Sequence, residues 1–550
     1  MSTRTAETIL VDALVRTADR KNPIAEAIAI ADGRILAVGS NSDVLTTRNK
    51  STRVISAAGR AMYPGFVDVH NHHSAAGITD LFELSLSANL GLEEILQQVR
   101  TYASHLPVDS WITGGSWAST LMNELNSSAV RARLDEAAGG RPVVLSDDSH
   151  HNRWANTAAL RFAGITAATP PAGGVAFLDP VDGQPTGVLL EDAGTQVTRS
   201  HQRVAAFTPE QYRRASQRGV ELLNSFGVTT FQDAAVSVEI MTALADLDRN
   251  GELNAWVVSS MTVNDQIFGY DPVGERLVAQ GESFRTQHHR PDFVKIFLDG
   301  VPPARTALFL EPYVPDDEHG PDFHGSTTMS AADLADRLRE ASARGLGAKV
   351  HATGDGTAHL LLDVVEQLRG EGHNLPVQLA HGQFLDPDDI ARMVRLGVIA
   401  DISPFLWFPG VIPQALAEVL GDDRAHRSQP NRSILDEGGL VAGGSDWPVS
   451  ESPNPLEGIQ GLITRADPFH RAPGTLWPEQ AISAREALEV FTINAARAMG
   501  LGGETGTLEA GKSADIVVLD RDAVAGSPDE IVCATVEETW FAGRRVFSRE

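Results

Sequence analysis

The chain has 550 residues, 42% of them hydrophobic and 21% charged, which is an ordinary balance for a globular protein larger than one average domain. Its net charge of −27 is repelled by phosphate backbones and anionic lipid, excluding nucleic acid and membrane surface as main partners. The single cysteine, Cys533, rules out an internal disulfide and a cysteine-rich metal site, leaving histidine, carboxylate or modified lysine to hold any metal.

Residues 1–8 carry no apolar leader core, and no run of about eighteen apolar residues follows, so a cytoplasmic enzyme is expected. Residues 8–11, 27–30 and 34–38 read as short strands, and Asp32-Gly33 between the last two marks a hairpin. The far end has the same character at 515–520, 536–541 and 543–547. Neither end has enough strands to enclose a core. The expectation is one small β-sandwich built from both termini, 1–61 and 501–550.

Between them comes Tyr63-Pro64-Gly65-Phe66-Val67-Asp68-Val69-His70-Asn71-His72-His73, an apolar run ending in histidines. With Phe66 on one side and Val67 and Val69 on the other, it reads as a parallel strand buried on both faces, the first of a barrel, within 62–76. His70 and His72 lie two apart and project to the same side, where two imidazoles can grip one divalent metal. Taken alone, a His-x-His pair is as readily two solvated loop residues.

Residues 77–215 are too long for a single connection and read as an insertion subdomain beside the barrel mouth, with apparent helices and an apolar run at 141–146. From 216 to 500, apolar strands alternate with helical segments. The strands are 227–233, 255–258, 293–297, 348–351, 377–381, 398–402 and 440–446, and Ser330 is a helix N-cap candidate with Asp333 three residues on. Counting the first, there are eight, so the fold class is α/β, a (β/α)8 TIM-type barrel. Four strands end in metal-competent groups: His70 and His72, His351, His381 and Asp446. Lys295 lies inside the fourth. Barrel enzymes place their chemistry at these strand ends.

These residues sit in motifs with a family pattern. Asp32-Gly33-Arg34-Ile35-Leu36-Ala37-Val38-Gly39, Pro64-Gly65-Phe66-Val67-Asp68-Val69-His70-Asn71-His72, Val294-Lys295-Ile296-Phe297-Leu298-Asp299-Gly300 and Gly444-Ser445-Asp446-Trp447-Pro448 resemble the metal-dependent amidohydrolase superfamily. Within the insertion, His151-Asn152-Arg153-Trp154-Ala155-Asn156 and Pro185-Thr186-Gly187-Val188-Leu189-Leu190-Glu191 resemble its family 3 group, which includes N-substituted formamide deformylases. The resemblance implies one or two divalent metals, most often zinc. His70, His72 and Asp446 would hold the more buried ion and His351 and His381 the second. Lys295, carboxylated to a carbamate, would bridge them, because a free ammonium among metals is disfavoured. The alternative is a mononuclear site with Lys295 unmodified and His381 positioning the substrate.

On this resemblance, bound metal lowers the pKa of water from about 15.7 toward about 7, and the hydroxide attacks an amide carbon. Asp446 would move the proton to the departing nitrogen. No Gly-x-Ser-x-Gly motif supports a serine hydrolase. The implied substrate is a small-molecule linear amide such as an N-substituted formamide. A cyclic amidase, a deaminase and a non-catalytic metal-binding module are the competing readings, and a homodimer is expected from the resemblance alone. His151, Trp154, Trp117, Arg305, Trp407 and Phe405 are candidate pocket residues, with core or rim packing as the equal alternative. His73 should face away from His72, and His288-His289 reads as a loop at the opposite barrel end.

Overall fold

A computed structural model describes residues 5–171 and 173–549; residues 1–4, part of the stretch read as lacking a leader core, lie outside it. Eight strands form one sheet in chain order: β1 (Phe66–Asn71), β2 (Val228–Val236), β3 (Trp256–Thr262), β4 (His289–Phe297), β5 (Gly347–Ala352), β6 (Val377–His381), β7 (Val398–Ile402) and β8 (Val441–Gly443). Every neighbouring pair from β1 to β8 is parallel. This is the expected (β/α)8 barrel. Its strands are buried on both faces, which explains their unbroken apolar runs. Phe231, Val257, Ile296, Val350 and Leu379 pack with helix residues such as Leu338, Leu361 and Val365. Val67, Val69, Val258, Phe293 and Ala442 form a second cluster closed by Ala495, Ala496 and Met499.

Where β8 meets β1, Asp446 N donates to His70 O at 2.6 Å and His72 N to Trp447 O at 2.8 Å. Gly444 makes this approach possible, since a Cβ there would lie 2.5 Å from His70 Cβ.

Two sheets make the sandwich. One is wholly N-terminal, in the order Arg34–Gly39, Ala27–Ala31, Thr8–Val11, Arg53–Ser56. The other joins both chain ends: Arg544–Ser548, Val536–Phe541, Ile516–Leu519, Ala61–Pro64, Leu14–Arg16, Ile24–Ala25. Ile28, Ile30 and Ile35 face Met62, Ile516, Val518 and Trp540 across the core. Asp32 and Gly33 both have positive φ, 51° and 72°, as a tight right-twisted hairpin requires.

The run 63–73, read above as one strand, is divided. Ala61–Pro64 belongs to the sandwich, antiparallel to Ile516–Leu519, and Phe66–Asn71 to the barrel. Gly65 is the joint. It presses on Thr229 so closely that a Cβ would overlap the side chain.

Between β1 and β2, the insertion holds a sheet of its own, ordered Val175–Leu178, Pro185–Leu190, Asn152–Ala155, Val143–Asp147, Ile112–Trp117, Leu84–Ser85. Helices Leu92–Ser104 and Ser128–Ala137 cover it, and Leu96, Trp117, Leu134, Leu145 and Trp154 fill its core. Among the described residues, no helix is long and apolar enough to cross a membrane.

Replacing Gly65 by Ala is expected to cost about 1–3 kcal/mol through overpacking against Thr229, with part of the loss recovered by adding Thr229→Ala. Gly39→Ala, which meets open space, is expected to change stability by no more than about 0.5 kcal/mol, and urea titration of all three variants reads these differences.

Candidate metal centre

His70 stands at the end of β1, fully buried. Its Nδ1 lies 2.9 Å from Asp401 Oδ2 on β7. A carboxylate only accepts, so the imidazole proton sits on Nδ1 and Nε2 presents its lone pair. That Nε2 is buried without a hydrogen-bond partner, 3.4 Å from Asp446 Oδ1. His72 Nε2 is also 3.4 Å from Asp446 Oδ1, and His381 Nδ1 is 4.0 Å from Asp446 Oδ2. Ligand atoms of His70, His381 and Asp446 all fall within 4.8 Å of one another. Two imidazole nitrogens and a carboxylate oxygen, one nitrogen orphaned in a buried site, fit a divalent cation.

The backbone bends to achieve this. His381 ends β6 at φ 72° and Asp446 follows β8 at φ 57°, left-handed conformations that cost of order 1 kcal/mol or more for such residues. Burial first, then neighbouring positive groups, pushes the pKa of His70, His351 and His381 well down, leaving neutral imidazoles able to ligate. His351 Nε2 lies 3.0 Å from the Gly300 carbonyl and donates to it, leaving Nδ1 as its free nitrogen; its ring is 4.6 Å from that of His381. Lys295 is buried on β4 with Nζ 4.6 Å from the Phe297 ring centre. Burial, and then the charge of Lys349, pushes its pKa down to about 7.

All six sequence-derived ligand candidates, His70, His72, Lys295, His351, His381 and Asp446, line one cavity of about 80 Å³. The insertion supplies part of its wall through Ser119, Asp148, Ser149 and His151. His151 Nδ1 bonds Glu191 Oε2 at 2.9 Å, and Glu191 Oε1 accepts from Thr306 Oγ1 at 2.7 Å. Burial opposes a charge on His151, but the Glu191 charge and hydrogen bond prevail and raise its pKa. Beside this cavity lies a chamber of about 900 Å³ between insertion and barrel, lined by Phe207, Tyr212, Phe268, Tyr270 and Trp447 among others. Asp148, Ile267 and Val449 belong to the walls of both.

Of the candidate pocket residues, only His151 reaches the metal cavity. Trp117 and Trp154 are fully buried in the insertion core, where they complete its apolar packing. Trp407 is buried beneath the Arg465 guanidinium at 4.0 Å, and Phe405 packs on Phe408 and Phe491. Arg305 turns to Asp316 at 2.9 Å, over the Tyr313 ring. His73 faces Asp233, with Nδ1 2.6 Å from Oδ2. His289 is no loop residue but the first of β4, with Nε2 2.8 Å from Ser259 Oγ.

The amidohydrolase family model matches residues 53–547, nearly the whole chain. The chain belongs to the amidohydrolase family. This amidohydrolase is 29% identical to the N-substituted formamide deformylase of Arthrobacter pascens over 98% of both chains. It is also 29% identical to the protein LONG AFTER FAR-RED 3 of Arabidopsis thaliana, over 98% of this chain and 92% of that one. An uncharacterized metal-dependent hydrolase from Pyrococcus horikoshii OT3 shares the fold at TM-score 0.73 and 22% identity, covering 95% of this chain and 99% of its own. Sequence reasoning about this amidohydrolase missed Asp148, Glu191, Lys349 and Asp401 as parts of the site. The last two had a signal: each is a charge inside an apolar parallel strand, where it needs a partner.

In metal-free protein, His151 is expected to titrate above 6.5, so its pair with Glu191 stabilises fully below that pH and less as pH rises through the raised value. Glu191→Gln leaves burial dominant and should bring the His151 titration below 6.5, read by NMR of labelled histidines; an unmoved titration contradicts the pairing.

Proposed function

We propose that this amidohydrolase cleaves the carbon–nitrogen bond of a linear N-substituted amide, with an N-substituted formamide as the leading substrate class. The observation behind this is a division of space. The metal-binding triad lines a cavity of about 80 Å³, and a chamber of about 900 Å³ shares walls with it. A small acyl group suits the first and a bulky substituent the second. A cyclic amide, with its reacting atoms inside one ring, makes no use of that split. The likeness to a formamide deformylase across nearly all of both chains supports the same choice.

In this reading His70, His381 and Asp446 hold the cation with His72 beside them, and the nitrogen-rich donor set favours zinc. His351 and Lys295 extend the site toward a second ion. With its pKa near 7, Lys295 offers an uncharged amine that can add to carbon dioxide, losing one proton and gaining an anionic carbamate. When bound, the cation supplies Lewis acidity toward water and a carbonyl oxygen.

The chain's own groups do the rest. Asp446, within 4.0 Å of three imidazoles, takes the proton of the attacking water and returns it to the amide nitrogen as the carbon–nitrogen bond breaks. Carboxylic acid and amine leave. His151, whose charged form Glu191 favours, is placed to donate toward the carbonyl oxygen from the insertion side.

Assays of N-formyl, N-acyl and cyclic amides with zinc-loaded enzyme test the substrate class; preference for the cyclic set would overturn it. Thorough chelation is expected to remove activity and added zinc to restore it. Asp446→Asn should lower kcat by about 10²–10⁴-fold while the protein stays folded; near-wild-type turnover would sink the assigned proton transfer.

A further inference from the structure

Two opposite charges stand in the barrel interior that the mechanism above leaves unused: Lys349 on β5 and Asp401 on β7, both fully buried. Neither lines the metal cavity or the adjoining chamber. Such charges are costly to keep, and apolar residues in their place are often as stable or more so. The way they are connected gives them a reason to be there.

Lys349 Nζ donates to Asp401 Oδ2. The same oxygen accepts from His70 Nδ1 at 2.9 Å. Nζ also donates to the carbonyl of Val69 at 3.0 Å, the residue that precedes His70 on β1. One ammonium therefore grips the imidazole's partner and the backbone that carries the imidazole. Strands β1, β5 and β7 are tied at one point. On the far side of the ring, His70 Nε2 is left without a protein partner, toward Asp446.

We infer that Lys349 is a positioning residue for the metal centre: by clamping Asp401 and the Val69 carbonyl together, it aims the His70 Nε2 lone pair at the cation. The inference rests on His70 being a ligand. It differs from a purely structural ion pair in what it makes sensitive. A structural pair affects stability alone. A clamp on a ligand alters how tightly the metal is held and the field it experiences, since partners of ligating histidines typically contribute about 10–100-fold in metal affinity.

The experiment uses the full chain, stripped of metal and titrated with Co²⁺ against a chelator, with the visible spectrum of the bound ion recorded. The variants are Lys349→Met, Asp401→Asn, the double variant Lys349→Met/Asp401→Leu, and His70→Ala as reference. Lys349→Met and Asp401→Asn are each expected to bind Co²⁺ about 10–100-fold more weakly, with shifted absorption bands. The double variant is expected to regain the stability lost in Lys349→Met without regaining metal affinity. Wild-type affinity and spectrum in Lys349→Met, alongside loss in His70→Ala, overturn the inference and leave the metal site standing. Unchanged affinity in His70→Ala instead overturns the site reading on which the inference rests. Should Lys349→Met fail to fold, the double variant decides alone, and wild-type Co²⁺ binding in it overturns the clamp.

Discussion

Among the described residues no ladder pairing joins β8 to β1, and β8 is only three residues long, so the seam of the barrel depends on groups at and just beyond these strands. Asp446 N reaches His70 O, His72 N reaches Trp447 O, and Asp68 accepts from the amide and hydroxyl of Ser445 at 3.0 and 2.6 Å. These bonds run between the metal-site residues and their immediate neighbours. Barrel closure and ligand placement are thus one constraint, and the left-handed backbone of Asp446 stands at the seam that these bonds close.

The second requirement is electrostatic. A site this deep cannot rely on water to solvate its charges, so several of its ionisable groups are tied to another element. Asp401 joins His70 to Lys349, and Asp299 accepts from the amides of Thr353 and Gly354 beneath His351. Glu191 joins His151 to Thr306. The insertion enters the site through that last link, which makes it a wall of the cavity and not merely an appendage.

The barrel was legible because parallel strands buried on both faces leave continuous apolar runs, and its ligands because histidine and aspartate interrupt those runs at one end. The insertion sheet was not. Ile112–Trp117 carries two glycines, and Asn152–Ala155 is four residues with an asparagine and an arginine, so neither shows a strand's apolar signature. Aromatic residues were poor guides to the pocket: Trp117, Trp154 and Trp407 answer to packing, and nothing in a sequence separates an indole that fills a core from one that meets a ligand. Nor does an apolar run announce where its partner sheet changes, which is why 61–71 conceals a passage from sandwich to barrel.

That passage has a bearing on biosynthesis. Ala61–Pro64 pairs on one side with Leu14–Arg16, near it in the chain, and on the other with Ile516–Leu519, more than four hundred residues later. At ordinary elongation rates of about 5–20 residues per second, the early strand waits tens of seconds for that second partner. The segment that suspends β1, and with it His70, therefore keeps one edge unpaired until Ile516–Leu519 has been made.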